Sequence, residues 1–207
     1  MTDLFITGTD TGVGKTTLSA LLVASLGWKY WKPIQTGAAE GMDRDHVIQW
    51  AGVSSAQTHP ESYVFDPPVS PHLAAERKGM AIDLALVRRP DDPGPLIIEG
   101  AGGVLVPINR DKLMIDLMRH LNAPVVIASR TALGTINHTL LTIAAVRSAG
   151  LELRGVVMVG PPDDDNRRAI ESYGNVGVIG SIPHLDVIDR AALRRVFEQR
   201  FDRTAFV

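Results

Sequence analysis

Hydrophobic and polar residues alternate along this chain in two recurring kinds of segment. Short apolar runs bounded by turn residues predict buried strands, and longer segments with apolar residues every three or four positions predict helices. The predicted strands span 4–6, 28–32, 95–99, 123–129, 155–159 and 176–179. The predicted helices span 18–26, 42–50, 71–77, 82–87, 139–148 and 167–173. This alternation favours an α/β fold, a single-domain three-layer sandwich in which a mostly parallel sheet carries helices on both faces.

Two segments depart from this alternation. Residues 58–71 are rich in proline and lack clear periodicity, and because apolar residues continue through them we predict an ordered loop over the sheet edge that carries the site. The tail at 189–201 is amphipathic, with Leu193, Val196 and Phe197 on one side. Such a segment fits a helix packed on its own domain, which we favour, or a membrane-binding helix.

The composition fits one globular domain spanning residues 1–207 and excludes several kinds of chemistry. Hydrophobic residues make up 45% of the chain, and the formal net charge of -2 favours neither nucleic acid nor an anionic membrane as a partner. The chain has no cysteine, which excludes disulfides, thiol nucleophiles and thiolate metal sites. No apolar run approaches the roughly 18 residues of a membrane span, and the first residues lack the basic start of a signal peptide. We therefore expect a cytoplasmic protein.

The turn after the first predicted strand is rich in glycine and contains a lysine. Its sequence, GTDTGVGKTT, covers residues 8–17 and leads directly into the first predicted helix. Glycines let the backbone wrap an anion, and the N–H groups of the turn and of the helix start then point at phosphates. Lys15 is placed to reach the β- and γ-phosphates, and the Thr16 hydroxyl to bind Mg²⁺. We predict a phosphate loop of the P-loop NTPase type, although five residues separate Gly8 from Gly14 where the common pattern has four.

The second predicted strand brings Lys32 to the same end of the sheet. The carboxyl ends of parallel strands line the ligand crevice, so Lys32 is expected beside the phosphate loop, with the Thr36 hydroxyl close behind. Only five of the 21 basic residues are lysines, which sets Lys32 apart from generic surface charge. A solvated lysine without a function is the other interpretation, and these residues alone leave both open.

Acidic residues near the expected phosphates suggest a magnesium site. Glu99 follows an apolar strand and precedes a glycine-rich turn, EGAGG at 99–103. Phosphoryl-transfer proteins hold Mg²⁺ with such a strand-end carboxylate, and the glycines let the backbone approach a ligand closely. A flexible turn with an incidental acid is the alternative. Asp43 and Asp45, at the start of a predicted helix, fit either helix caps or metal ligands.

Five stretches taken together resemble the dethiobiotin synthetase family, which acts in biotin synthesis. They are GTDTGVGKT at 8–16, KPIQTG at 32–37, SPHLAA at 70–75, EGAGG at 99–103 and INHTLLT at 136–142. The resemblance implies an ATP-dependent carboxylase that makes a cyclic urea from 7,8-diaminopelargonate and CO₂, through a carbamate and a carbamic-phosphoric anhydride. It also implies Mg²⁺ and a homodimer with the substrate sites at the interface.

The resemblance further implies roles for the matching residues. Lys15, Lys32 and Thr11 are implied to act on the carbamate and the γ-phosphate. The implied magnesium ligands are Thr16, Asp45 and Glu99. The implied nucleotide contacts are Gly12, Val13, Gly14, Lys15, Thr16, Thr17, Asp45, Glu99, Gly100, Ala101, Gly102, Val159, Gly160, Ile182, Pro183 and His184. The implied substrate contacts are Thr11, Lys32, Thr36, Gly134, Thr135, Ile136 and Asn137.

Two parts of this implied site have weaker support from the residues. At the helix start, Thr135 or Asn137 fits a simple helix cap as well as a carboxylate-binding role. On the base side, family members often carry an asparagine that reads adenine where this chain has Val159 and Gly160, and His184 stands where an aromatic residue commonly follows the proline. We therefore expect ATP as the nucleotide, with other nucleoside triphosphates as alternatives.

Two other classes of protein fit part of the pattern. A partitioning or membrane-cycling ATPase shares the phosphate loop and Glu99, yet such proteins usually carry a lysine early in the loop, which residues 9–13 lack. A cobyrinate-type ligase coupled to an amidase needs a glutaminase cysteine, and this chain has none. Only the synthetase explains Lys32 beside Thr36 and the SPHLAA stretch, so it is the prediction we adopt.

Overall fold

The computed structural model describes residues 3–206, so Met1, Thr2 and Val207 of the predicted domain lie outside it. The strands are β1 (Leu4–Gly8), β2 (Lys29–Trp31), β3 (Ile34–Gln35), β4 (Thr58–His59), β5 (Tyr63–Val64), β6 (Leu96–Gly103), β7 (Val125–Arg130), β8 (Leu153–Val159) and β9 (Val178–Ile182). The helices are α1 (Lys15–Leu26), α2 (Asp43–Ala51), α3 (Pro71–Arg77), α4 (Met114–Leu121), α5 (Thr135–Ser148), α6 (Asp164–Gly174) and α7 (Arg190–Arg200).

Seven strands form one sheet in the order β4-β2-β6-β1-β7-β8-β9. Every neighbouring pair in this sheet is parallel, and β3 and β5 pair separately in a small parallel ribbon. Parallel strands need crossover connections, and the helices supply them. The carboxyl ends of β1, β2 and β6 therefore lie side by side at one edge of the sheet. The sequence predicted the phosphate loop, Lys32 and Glu99 at this edge.

The sheet separates two hydrophobic cores, because successive side chains of a strand point to opposite faces. On β1, Phe5 packs with residues of α4, α5 and α6, whereas Leu4 and Ile6 pack with residues of α1, α2 and α7. The predicted fold class, a mostly parallel sheet between two helical layers, is confirmed.

The C-terminal helix α7 packs on its own domain, as favoured from the sequence. Leu193, Val196 and Phe197 are buried against the α1 side of the sheet, and Phe197 also contacts the rings of Phe201 and Phe206. No helix within residues 3–206 is long and apolar enough to cross a membrane.

Three elements differ from the predictions. The predicted loop at 58–71 contains β4 and β5, which are two residues long and therefore show no readable alternation. The predicted helix at 82–87 is a single 3-10 turn at Leu84–Leu86. Helix α4 was missed, although Met114, Leu117 and Met118 have helical spacing and are fully buried.

Candidate active site

The phosphate loop connects β1 to α1 and folds back on itself. Gly12 and Gly14 have φ angles of 70° and 92°, a region that favours glycine, so the backbone turns sharply at both positions. The Nζ atom of Lys15 donates to the carbonyl of Asp10 at 2.9 Å, and this carbonyl occupies the bend of the loop. The Asp10 side chain pairs with Arg130 at the end of β7, at 2.7 Å. Asp10 thus ties the loop to the first residue of α1 and to the end of β7.

Glu99 is the centre of a buried polar network. Its side chain lies on β6, is 1% exposed, and receives hydrogen bonds on both oxygens. Oε1 accepts from Thr16 Oγ1 at 3.0 Å and from Lys32 Nζ at 3.2 Å. Oε2 accepts from Ser19 Oγ at 2.7 Å and from Tyr30 Oη at 3.1 Å. Glu99 lies inside β6 and not at its end, because the strand continues to Gly103.

Lys32 lies between two carboxylates. Its ammonium contacts Asp43 Oδ2 as well as Glu99 Oε1, and the lysine is only 6% exposed. Asp43 Oδ1 in turn accepts from Thr16 Oγ1 at 2.8 Å. The Thr16 hydroxyl has one proton and faces two carboxylate oxygens, so three oxygen atoms converge on one point of the site.

The two lysines differ in how their charge is balanced. Burial lowers the pKa of Lys15 to about 8, and the attraction of Glu99 offsets only part of this effect. Burial also acts on Lys32, but the attraction of Glu99 and Asp43 outweighs it and raises the pKa of Lys32. For Asp43, burial is outweighed by Lys32, which holds the pKa of this carboxyl below its usual value. Lys32 is therefore held in its charged form, whereas the lowered pKa of Lys15, about 8, makes its charge sensitive to pH.

Both lysines open into one cavity of about 650 Å³. Its walls come from the phosphate loop, the segment after β2, the start of α2, the SPHLAA stretch and β6. The predicted site residues that line it are Thr11, Gly12, Gly14, Lys15, Thr16, Thr17, Lys32, Thr36, Glu99, Ala101 and Gly102. The sequence predicted Lys15 and Lys32 at one edge of the sheet, and in the structure both side chains line this cavity.

The acid of α2 that faces the phosphate loop is Asp43, and not Asp45, which was the predicted metal ligand. Asp45 is exposed and does not line the cavity, whereas Asp43 contacts both Thr16 and Lys32. Both acids lie in the first turn of α2, and two positions along a helix are about 200° apart around its axis. Only one of them can face the phosphate loop.

Some predicted nucleotide contacts have a packing role. Val13 is 3% exposed, and its side chain lies so close to Gly8 that an added Cβ there would stand 2.6 Å from it. An added Cβ at Gly100 would stand 2.9 Å from the ring of Phe5. Gly100 thus lets β6 approach β1, and of the three glycines in EGAGG only Gly102 lines the cavity.

The residues predicted on the base side lie together, outside this cavity. Val159 and Ile182 are register partners on β8 and β9, and the N–H of Gly160 donates to the carbonyl of Ile182 at 2.9 Å. Val159 packs against Gly14 of the phosphate loop, 2.7 Å from where a Cβ would lie. Pro183 follows at once, and the His184 side chain is 85% exposed. The surface beside the phosphate loop is therefore mostly apolar, and its nucleotide contacts stay predictions.

The predicted substrate contacts at the start of α5 lie away from the main cavity. The Thr135 hydroxyl is buried and bonds to Ser129 Oγ at 2.7 Å, so a ligand would meet only the backbone there. Gly134 and Asn137 are exposed, and Ile136 is half-buried. The start of α5 can therefore contact only a ligand that lies outside the main cavity of the same chain.

The structure also identifies site residues that sequence reasoning missed. Ser19 and Tyr30 both bond to Glu99. A signal for both was present, because Ser19 is one helical turn from Lys15 and Tyr30 is two strand positions from Lys32, which places each pair on a common face. The Asp10–Arg130 pair joins residues 120 positions apart and had no such signal.

The chain closely matches curated proteins of one kind. A family model described as an AAA domain matches residues 2–192. The chain is 48% identical to the ATP-dependent dethiobiotin synthetase BioD of Novosphingobium aromaticivorans, over 97% of each protein. The chain belongs to the dethiobiotin synthetase family. Synthetases of the same name from Rhodopseudomonas palustris and Nitrobacter hamburgensis are 43% and 42% identical, over 99% and 97% of this chain and 96% and 94% of theirs.

Solved structures with a similar fold are nucleotide-dependent switch proteins. A ParA family ATPase from Chlorobium tepidum superimposes with a TM-score of 0.57 at 10% identity, over 96% of this chain and 93% of the other. McdA of Cyanothece, solved with ATP, gives 0.56 at 15% identity, over 96% and 90%. Likeness at such low identity concerns the fold alone. It agrees with the predicted fold class, while the full-length relatives place this member in the dethiobiotin synthetase family and not among the partitioning ATPases.

Proposed function

We propose that this protein makes dethiobiotin from 7,8-diaminopelargonate, CO₂ and ATP, with release of ADP and phosphate. The observation that carries the proposal is the convergence of two buried lysines, two carboxylates and a phosphate loop in one cavity of a dethiobiotin synthetase family member. A switch ATPase also needs the phosphate loop, but the second lysine of such proteins usually lies early in that loop, where this chain has none, whereas the second buried ammonium here is Lys32, directly after β2.

The chemistry builds up negative charge at every step. One amine of the substrate takes up CO₂ and forms a carbamate, the carbamate oxygen attacks the γ-phosphorus, and ADP leaves. The second amine then attacks the carbonyl of the mixed anhydride, closes the ring and displaces phosphate. Fixed cations at the places where charge develops stabilise such transition states most effectively.

Lys32 is suited to the carbamate. An ammonium has three N–H donors, and two of those of Lys32 go to Asp43 and Glu99. The third is left for a carbamate oxygen or a γ-phosphate oxygen, and the two carboxylates hold it in position. Thr11 and Thr36 line the same cavity and supply hydroxyl and backbone contacts to the carbamate.

Lys15 is suited to the phosphates. Its ammonium donates one hydrogen bond to the carbonyl of Asp10 within the loop and lines the cavity, which leaves two N–H groups for phosphate oxygens. The backbone of Gly12 and Gly14 and the side chain of Thr17 line the same part of the cavity. A nucleotide bound there places its terminal phosphoryl between Lys15 and Lys32.

The residues at the centre of the site fit Mg²⁺. The Thr16 hydroxyl lies 2.8 Å from Asp43 Oδ1 and 3.0 Å from Glu99 Oε1, which gives a set of hard oxygen donors, and Mg²⁺ usually takes one or two carboxylates together with substrate phosphates. Among residues 3–206, no group of three or more His, Cys, Asp or Glu side chains is placed so that it could hold a metal ion. When bound, the ion supplies charge neutralisation on the phosphates.

We propose further that the protein works as a homodimer. Large apolar side chains are exposed around the phosphate loop and the start of α5: Leu105 is 60% exposed, Leu133 103% and Leu141 62%. Leu105 and Leu141 line a second cavity of about 380 Å³ that also includes Thr9 and Thr11. A second copy seated there brings the start of its α5, residues 134–137, toward the cavity of the first and receives the substrate carboxylate on free N–H groups.

One assay tests the proposed activity. Labelled bicarbonate should enter an acid-stable product only when diaminopelargonate, Mg²⁺ and a nucleoside triphosphate are all present. ATP hydrolysis that responds to DNA or lipid vesicles and not to the diamine would instead favour the switch class.

The dimer has its own test. Leu141→Asp should shift the protein to a monomer in sedimentation velocity and lower turnover, since a charge would be buried in the interface. Leu86 is a matched control, because it is 64% exposed on another part of the surface, and Leu86→Asp should leave the assembly unchanged. A monomeric wild-type protein with full activity would rule the dimer out.

A further inference from the structure

We infer that Ser19 and Tyr30 are positioning residues for the site, because together they hold the rear oxygen of Glu99 and thereby turn its other oxygen toward the metal and Lys32. This inference rests on the proposed function, in which Glu99 faces Mg²⁺. It concerns two residues that touch neither nucleotide nor substrate.

The contacts divide the carboxylate of Glu99 into two halves. Oε2 takes both of its hydrogen bonds from Ser19 Oγ, at 2.7 Å, and from Tyr30 Oη, at 3.1 Å. Oε1 takes its bonds from the cavity side, from Thr16 and Lys32. Rotation of the carboxyl group would break the bonds on both oxygens at once. The bonds from Ser19 and Tyr30 therefore fix the plane of the carboxylate.

The fold explains why these two side chains reach Glu99. Tyr30 on β2 is the register partner of Ile97 on β6, and Glu99 lies two positions further along on the same face. Ser19 lies one turn after Lys15 on α1, which covers that face. Ser19 and Tyr30 are both 0% exposed, so water cannot replace either donor.

A purely structural role is the competing explanation, since a buried carboxylate needs hydrogen-bond partners in any protein. The two explanations differ in what a conservative substitution changes. A lost structural bond lowers stability and affects ligands generally, whereas a lost positioning bond weakens Mg²⁺-dependent binding specifically.

The experiment compares ADP affinity in saturating Mg²⁺ and in EDTA, measured by calorimetry on the full chain. In the wild type, the ratio of the two dissociation constants reports the contribution of the ion. Tyr30→Phe and Ser19→Ala should each reduce this ratio by roughly tenfold, with ADP affinity in EDTA unchanged, as is typical when outer partners of a metal ligand are removed. The double variant should reduce this ratio by more than the two single reductions combined. The reason is that, in each single variant, the remaining donor still holds Oε2.

Two matched controls remove equivalent groups elsewhere. Tyr63→Phe deletes a phenol that bonds to the backbone of Asp83 at 3.1 Å, remote from Glu99. Ser25→Ala deletes a hydroxyl on the same helix as Ser19 that has no hydrogen-bond partner among the described residues. Both should keep the wild-type ratio.

The outcomes separate the two proposals. If Tyr30→Phe and Ser19→Ala keep the ratio and only lower the melting temperature, the positioning role is overturned while the proposed function stands. If the wild type itself binds ADP equally well with and without Mg²⁺, the proposed metal site fails, and this inference fails with it.

Discussion

The two ends of the nucleotide site are built in opposite ways. On the phosphate side, Lys32, Asp43 and Glu99 are buried or half-buried and joined by hydrogen bonds, directly or through Thr16, and the buried Lys15 bonds to the carbonyl of Asp10 at 2.9 Å. On the base side, residues 159–160 and 182–184 offer an apolar surface and one exposed histidine. Under the proposed function, this difference means that fixed groups are concentrated where charge develops during the reaction, and that the base only has to be held.

Removing Lys32 from the phosphate side should have the largest effect on turnover. Lys32→Ala should lower kcat by about 10²- to 10³-fold, because a fixed cation is lost where the carbamate meets the phosphate, while ADP affinity stays within a few-fold of the wild type. Labelled bicarbonate incorporation and ADP calorimetry measure the two effects.

Lys29 provides the control for this substitution. It lies at the start of β2, the strand that Lys32 directly follows, but it pairs with Asp92 outside the cavity, so Lys29→Ala should leave turnover unchanged. An active Lys32→Ala variant would remove the second ammonium from the mechanism.

A second pair of substitutions tests whether Asp43 or Asp45 contributes to turnover at the phosphate side of the site. Asp43→Asn should reduce kcat/KM on the order of 10²-fold, because it removes the charge that faces Thr16 and Lys32. Asp45→Asn alters an exposed side chain two residues away and should stay within about twofold of the wild type. Steady-state kinetics at several Mg²⁺ concentrations would decide, and the reverse order of effects would restore the assignment made from sequence.

The pKa of Lys15 is lowered whereas that of Lys32 is raised, and we therefore predict that the affinity for ADP depends on pH through Lys15. Lys15, with a pKa lowered to about 8, is protonated below that pH and loses its charge above it. Because phosphates bind the charged form, ADP affinity should be flat below pH 8 and fall by up to about tenfold per unit above it.

Calorimetry in buffers of different ionisation enthalpy would show the proton taken up on binding above pH 8. Lys15→Ala should bind ADP weakly and without this slope. A wild-type affinity that stays constant from pH 7 to pH 10 would place the titrating group elsewhere.

The smallest expected effect concerns the base. With no polar side chain at Val159, kcat/KM for ATP, CTP and GTP should agree within roughly tenfold, since one neutral hydrogen bond is worth about 1 kcal/mol. Val159→Asn introduces an amide beside the phosphate loop and should raise the preference for ATP several-fold. Val187, 65% exposed in the loop after β9, is the control position for the same valine-to-asparagine change. A wild-type preference for ATP above about a hundredfold would mean that another group reads the base.

Most of the fold followed from local patterns. Buried parallel strands such as β6 and β7 are continuous apolar runs, and the helix ends at Gly27 and Gly52 carry the positive φ that terminates a helix. What local pattern missed was short or paired over distance: β4 and β5 exist only because β2 and β3 lie beside them.

The phosphate loop, the strand-end Lys32 and the acid Glu99 were determined by the sequence alone, because each depends on spacing within one strand, turn and helix. Only the tertiary structure decided that Asp43 and not Asp45 faces Thr16, and that Ser19 and Tyr30 bond to Glu99. The reason is geometric. The rotation of α2 about its axis and the register of β2 on β6 are set by packing across the sheet, and a hydrogen bond tolerates an error of only a few tenths of an ångström.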